Sequence, residues 1–223
     1  MNAMASYFNL TLDTTAPAGV TLTINNDDLY TTSPTVNLAI GCSDENTTGY
    51  QMQIWGTATA PTQEQASWVT YQPTTQITLP SGDGLKTVYV IVRDAVGNQS
   101  AQASDSITLD TAVPAVTITG PDNSTISQVP GFNTAVFNFM ADVIFEEYKV
   151  CVVPATGSTQ NAGTTIGTTN GSVNTSGNAG NYPADTNIEV TINGSDLEAA
   201  SSGDGVKIIK VFVKNAAGTW SVA

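Results

Sequence analysis

The chain has 223 residues, which is room for one large domain or two of about 110 at the usual domain size. Charged residues make up 11%, under half the roughly 25% of an ordinary soluble protein, and 6 Lys+Arg against 19 Asp+Glu leave a net charge of −13. Phosphate backbones repel such a polyanion, which excludes a nucleic-acid partner; the absence of His removes His-based catalysis and most zinc and haem sites; and no run approaches the roughly 18 apolar residues of a membrane span.

Residues 1–12 read as a strand-like arm. They hold no basic residue, the first in the chain being Lys86. A secretory signal needs a basic region ahead of an apolar run, so synthesis without signal-directed export is the expectation. Within the arm, Asn9-Leu10-Thr11-Leu12-Asp13 matches Ser106-Ile107-Thr108-Leu109-Asp110, 97 positions further on. The same offset carries Leu12-Asp13-Thr14-Thr15-Ala16-Pro17 onto Leu109-Asp110-Thr111-Ala112-Val113-Pro114. The repeat implies a first domain over 13–110 and a second over 111–223. Pro17 and Pro114 fix φ and lack an N–H, which suits the first residue of an edge strand. Thr35 to Cys42 then alternates with period two, as a half-buried strand does. In Gln51-Met52-Gln53-Ile54-Trp55 the same alternation points Met52 and Ile54 inward and leaves Trp55 exposed beside Gln51 and Gln53. Trp68 and Tyr71 follow in a loop or the next strand. Exposed Trp and Tyr stack on sugar rings or anchor interfaces, so Trp55, Trp68 and Tyr71 are candidate glycan contacts, with core-edge packing as the alternative.

Gly82-Asp83-Gly84-Leu85-Lys86 recurs as Gly203-Asp204-Gly205-Val206-Lys207, 121 positions on, and that register holds as far as Gly97 and Gly218. Val88, Val90 and Val92 share one strand face, and Gly97 and Gly218 fit turn positions of positive φ. Residues 106–110 are the expected final strand of the first domain. In the second, Phe132 to Val153 carries large apolar groups on either strand face, as in a strand buried on both sides. This marks Phe137 and Phe139 as candidate subunit contacts, or else a deeper core. The two offsets differ by 24, which places an insert in the Gly/Thr/Asn-rich tract at about 154–187. Beyond Gly218-Thr219 only Trp220-Ser221-Val222-Ala223 follows, leaving the second copy little or no final strand. Cys42 and Cys151 lie in different halves and read as buried free thiols. No window carries a helical stripe.

Leu-Asp-Thr-Thr-Ala-Pro, the Tyr-Gln-Met-Gln-Ile strand, Asp-Gly-Leu-Lys-Thr-Val-Tyr-Val-Ile-Val-Arg-Asp-Ala-Val-Gly-Asn and Ser-Asp-Ser-Ile-Thr-Leu-Asp-Thr together resemble the tandem bacterial Ig-like modules of bacterial surface proteins and tailed-phage virion proteins. Residues 12–111 carry the likeness. It loosens over 112–223, where Lys-Asn-Ala-Ala-Gly-Thr replaces Arg-Asp-Ala-Val-Gly-Asn. The resemblance implies an all-β fold of two tandem immunoglobulin-like β-sandwich domains acting as spacers, decorations or adhesive modules, with no catalytic residue to carry over. The expected function is that of a non-enzymatic structural protein of a tailed-phage virion, on the tail, baseplate or head. The alternatives are a subunit of a bacterial extracellular fibre or adhesin, or a carbohydrate-binding surface module.

A sandwich short of one edge strand has unpaired N–H and C=O groups and a gap in its core. A free strand of matching pattern fills both, as in donor-strand complementation. Tyr7, Phe8, Leu10 and Leu12 of the arm, with Trp220 at the other end, are therefore candidate subunit contacts. The partners would be other copies of the chain or other virion proteins, and such a heterologous contact closes a ring or extends a filament. The alternatives are local packing of Leu10 and Leu12, or a short final strand made by 220–223. Chemistry is sparse. Gly-x-Ser-x-Gly and Ser-x-x-Lys are absent, and the neighbouring carboxylates Asp27-Asp28 and Glu146-Glu147 point to opposite faces of a regular strand. No cofactor is expected, apart from calcium on the oxygen ligands of Asp13, Asp94 and Asp110, which otherwise are solvated loop carboxylates.

Overall fold

Short β-branched and aromatic runs, broken by turn residues, set the architecture. The computed structural model describes residues 8–44, 46–58 and 62–223. The chain divides between Asp110 and Thr111 into two compact units. The first holds β1 (Thr21–Ile24), β2 (Tyr30–Thr31), β3 (Thr35–Gly41), β4 (Gln51–Trp55), β5 (Val69–Thr70), β6 (Thr74–Thr78), β7 (Gly84–Arg93) and β8 (Ala103–Leu109). They form two sheets, in the orders β1-β3-β6 and β2-β8-β7-β4-β5. Alternation decides what faces inward: Val36, Leu38 and Ile40 of β3, Val88, Val90 and Val92 of β7, and Ile107 and Leu109 of β8 close an aliphatic core between the sheets.

The second unit holds β9 (Val116–Thr119), β10 (Thr134–Ala141), β11 (Phe145–Val153), β12 (Thr164–Thr165), β13 (Ser176–Gly177), β14 (Ile188–Asn193), the helix α1 (Gly194–Ala200) and β15 (Ile208–Asn215). One sheet runs β14-β10-β9; in the other, β11 pairs with β12 and β13 on one edge and with β15 on the opposite edge. Both units are immunoglobulin-like β-sandwiches.

The insert at about 154–187 is ordered and packed. It supplies β12 and β13, and it buries Ile166, Ser172 and Thr175. Tyr182 of the insert stacks on Phe145 at 4.9 Å between ring centroids and meets Tyr148 edge-on at 5.2 Å. The second core is therefore aromatic where the first is aliphatic, because the insert brings a ring of its own. Phe137 and Phe139 belong to this core. They are fully enclosed and unavailable as subunit contacts, which corrects that expectation. The doubly apolar stretch is instead the second half of β11, where Tyr148, Val150 and Val152 face the main core while Cys151 and Val153 pack with Phe212 on the outer side.

Three other expectations are revised. The chain has a helix, α1, of seven residues, capped by Asn193, whose side chain accepts from the Ser195 N–H at 3.1 Å. Its first residue, Gly194, is a glycine because a Cβ there would overlap the Ser127 carbonyl oxygen. Gly194→Ala is accordingly expected to cost about 1–3 kcal/mol, the usual range for forced overpacking, read as a lowered midpoint in urea unfolding. Pro17 and Pro114 are buried but precede β1 and β9 rather than starting them. Both cysteines are free; Cys151 is buried, whereas Cys42 is only half-buried.

Candidate assembly site

The two units differ at one sheet edge. In the first, β7 pairs on one side with β4 and on the other with β8, from Gly84↔Leu109 to Val90↔Ala103. β8 also packs against β1, and the Asp105 carboxylate accepts the Ile24 N–H at 2.6 Å. The strand equivalent to β7 in the second unit is β15. Its C-terminal end is closed in the same manner as that of β7. Ser221 N–H donates to the Val213 carbonyl at 2.8 Å, as Ser100 does to Val92 at 2.8 Å. Each serine hydroxyl in turn accepts from its strand, at 3.1 Å in both units. Trp220 forms an isolated bridge to Lys214, as Gln99 does to Arg93. Beyond that point the units part. Ala223 N–H goes to the Ser158 carbonyl of the insert, and among the described residues β11 is the strand that pairs with Ile208 to Phe212.

Consequences reach into the core. Ile118 stands opposite Phe139 as Leu22 stands opposite Ile40. Leu22 is 8% exposed, whereas Ile118 is 43% exposed. Ile209 is half-buried where its counterpart Val88 is fully enclosed. Residues 205–207 stand outside the strand, although the matching 84–86 lie inside β7, where β8 pairs with them. Each difference falls where β8 sits in the first unit.

The segment that repeats the β8 sequence is uncovered. Leu10 and Leu12 are 87% and 86% exposed, and Phe8 is equally open. Their counterparts Ile107 and Leu109 are 0% and 2% exposed. Leu10 and Leu12 therefore do not pack locally. Tyr7 lies outside the described residues. Trp220 is half-buried on the outer face of its sheet, with the Lys149 and Lys214 ammonium groups 4.9 and 5.6 Å from its ring centroid.

The candidate glycan residues occupy other roles. Trp55 is only 7% exposed, against the expectation from alternation. Gln53 is buried beside it, because its amide donates to the Gln63 and Ala66 carbonyls at 2.9 and 2.7 Å and holds that segment over the outer face of β4. Trp55 stacks on Tyr89 across the strand pair at 5.5 Å. Trp68 is half-buried under the Arg93 guanidinium, 4.1 Å from its ring. Tyr71 packs on the main core and donates its hydroxyl to the Ile40 carbonyl at 2.8 Å.

The acidic candidates separate too. Asp94 and Asp110 lie at opposite ends of β7, while the Asp13 carbonyl and the Asp94 carboxylate both accept from the Asn98 amide, at 3.3 and 2.8 Å. Among the described residues no group of three His, Cys, Asp or Glu side chains is placed to hold a metal ion. Asp94 works as a turn clamp, accepting the Val96 and Asn98 N–H groups at 2.9 Å each. Burial opposes its charge, but these hydrogen bonds outweigh it and hold the carboxyl below its ordinary value of 3.8. A lowered folded pKa contributes stability that is complete above the unfolded value and lost as pH falls through the folded one. In the second unit the same turn uses the neutral Asn215, whose side chain accepts the Thr219 N–H at 2.8 Å. Asp94→Asn is therefore expected to keep the fold at neutral pH and to flatten the acid end of the thermal-unfolding profile.

No family model and no curated protein matches the chain. Among solved structures it is similar to the fibronectin(III)-like modules of Clostridium thermocellum CbhA, at 14% identity over 90% of this chain and 88% of that one, with a TM-score of 0.45. It is also similar to the D00-D0 domain of intimin, at 15% identity over 92% and 95% of the two chains and a TM-score of 0.32. A further similarity is to the BSP domain of a biofilm-associated protein, at 14% identity over 92% of this chain and 27% of that one, with a TM-score of 0.24. None of these similarities assigns the chain to a family.

Proposed function

We propose that the chain is a non-catalytic structural subunit of an outer surface, joined to its neighbours through β-strand and Ig-module contacts, and that this surface is a tailed-phage virion. The observation that carries the structural reading is a pair of β-sandwiches whose polar and aromatic side chains are spent on turns and packing. The polar groups are consistent with it. Asp94 and the Gln53 amide are spent on holding turns, and Trp55, Trp68 and Tyr71 on packing, so the side chains able to do chemistry serve rigidity. An acidic, Lys-poor surface suits a decoration that must stay soluble and avoid nucleic acid. The virion assignment rests on the resemblance of residues 12–111 to virion Ig-like modules.

Immunogold labelling with an antibody to the purified protein tests the reading on phage particles and on host cells. Label on the outside of the particles is the expected result. Label on the bacterial envelope alone moves the chain to a cell-surface fibre or adhesin. Label confined to the cell interior overturns the structural reading altogether.

A further inference from the structure

We propose that the first unit binds a sugar residue bearing one carboxylate, held by the Arg93 guanidinium at a cavity beside the turn that follows β7. One cross-strand pair, compared between the two units, carries this reading, whichever outer surface bears the chain. In the second unit Glu147 of β11 stands opposite Lys214 of β15. The Glu147 carboxylate accepts from the Lys214 ammonium at 2.5 Å, and the same ammonium lies 5.6 Å from the Trp220 ring centroid. That cation has both an indole and a carboxylate. In the first unit the corresponding pair is Gln51 of β4 opposite Arg93 of β7. Arg93 also rests on an indole, its guanidinium carbon 4.1 Å from the Trp68 ring centroid. Its strand partner, however, is a neutral amide: Nε and one Nη donate to the Gln51 Oε1 at 2.8 and 2.5 Å. Among the described residues no carboxylate makes an ion pair with Arg93. The first unit thus repeats the indole and the cation of the second and lacks the anion.

Space for an anion lies beside that cation. Gly49, Gln51, Arg93, Asp94, Ala95 and Gly97 line a cavity of about 370 Å³, near the small end of the roughly 300–1,000 Å³ of ligand pockets. It has room for one small residue. Gly49 and Gly97 contribute only main chain, and the lining is mostly polar, which selects a hydroxylated ligand over an apolar acid. Asp94 lines the cavity as well, but its carboxylate is spent on the Val96 and Asn98 N–H groups and the Asn98 amide, at 2.9, 2.9 and 2.8 Å. A guanidinium carries five N–H donors. Gln51 engages two of those on Arg93, and the others suit the paired oxygens of a carboxylate. Trp68 beneath the guanidinium fixes its plane without touching the ligand. Charge elsewhere narrows the ligand further. Residues 1–110 hold ten Asp and Glu against two cations, Lys86 and Arg93, so a dense polyanion is repelled. A single carboxylate on a neutral, hydroxylated body satisfies both the cation and the lining, and a sugar acid is such a body.

Arg93 is the one arginine of the chain, so its Nε–H gives a single signal in the nitrogen–proton NMR spectrum of the full protein. Titration with sodium glucuronate is expected to move that signal together with the Gly49 and Gly97 N–H signals. Glucose, which lacks the carboxylate, and acetate, which lacks the ring, are expected to act about tenfold more weakly or less. Gln51→Glu gives the first unit the carboxylate of the second and is expected to weaken glucuronate binding about tenfold or more. Arg93→Lys keeps the charge without the fork and is expected to weaken it as well, read at Gly97. Unmoved signals from the rest of the chain verify that each variant folds. Glucuronate that leaves all three signals in place overturns the proposal, as does glucuronate that binds both variants as well as it binds the unaltered protein. Acetate as effective as glucuronate, or a peptide ending in glutamate that binds more tightly, overturns the sugar assignment. The labelling experiment decides the outer-surface reading separately in every case.

Discussion

Phe139→Ala is expected to lower the stability of the second unit by about 3–5 kcal/mol, the range for removing a fully buried Phe. Phe139 is completely enclosed and lies 5.1 Å from the Tyr148 ring and 6.2 Å from that of Phe145. Those two rings in turn hold Tyr182 of the insert. Taking out Phe139 therefore removes its own burial and loosens the ring cluster that fastens the insert to the sheet. Tilted aromatic pairs add about 0.5–1.5 kcal/mol each beyond burial. Trp220 is the one tryptophan in residues 111–223, so in a Trp55→Phe/Trp68→Phe background the fluorescence during urea unfolding reports on this unit. A change below about 1 kcal/mol would contradict the ring cluster as the centre of the second core, because the cavity alone costs more.

Asp196→Ala is expected to cost on the order of 3 kcal/mol and to release the insert, since hydrogen bonds to a buried charge are among the strong ones. The carboxylate is buried within α1 and accepts from the Asn170 and Ser172 N–H groups at 3.2 and 3.0 Å, and from the Thr169 hydroxyl and the Asn170 amide at 3.2 and 3.3 Å. Removing it strands several donors at once. Burial works against the charge, yet the bonds from Ser172, Asn170 and Thr169 prevail and keep the carboxyl below its ordinary 3.8. The stabilisation is therefore full above that value and fades as pH drops through the lower folded pKa. Limited proteolysis reads the result directly. Cleavage within 154–187 should rise sharply in the variant at neutral pH, and in the unaltered protein only under strong acid.

Strands were legible wherever a period-two pattern coincided with the repeat. Val88, Val90 and Val92 face inward as alternation requires, and both Gly97 and Gly218 adopt positive φ, at 97° and 85°. Trp55 was misjudged because alternation assigns a side chain to a face but says nothing of what later covers that face. The Gln53 amide and the Gln63–Gln65 turn do the covering, through contacts within the loop that no periodicity reveals. The helix escaped notice because seven residues make barely two turns, too few for a stripe. Its one local signal was Asn193 ahead of Ser195 and Asp196. The order of the insert was hidden for a different reason. Its anchors, Ile166, Ser172, Thr175 and Tyr182, are scattered through a Gly/Thr/Asn background, and they become fixed only by meeting β11, β14 and α1. Phe137 and Phe139 showed the right hydrophobicity but not its destination, since a ring-rich strand reads alike whether a neighbouring subunit or an insert covers it. The likeness of the arm to β8 was the most legible feature, since residues 9–13 match 106–110 in order, 97 positions apart.

The central claim is that the sandwiches are rigid units in which even the insert is fixed. Amide hydrogen exchange at Ile166 and Val173 measures that most directly, because pairing protects backbone N–H groups that an unpacked loop leaves accessible to water. Ile166 N–H donates to the Val150 carbonyl at 2.9 Å and Val173 N–H to the Thr191 carbonyl at 3.0 Å. The account predicts slow exchange at both in the unaltered protein and faster exchange in the Asp196→Ala variant. Fast exchange at both in the unaltered protein would contradict it.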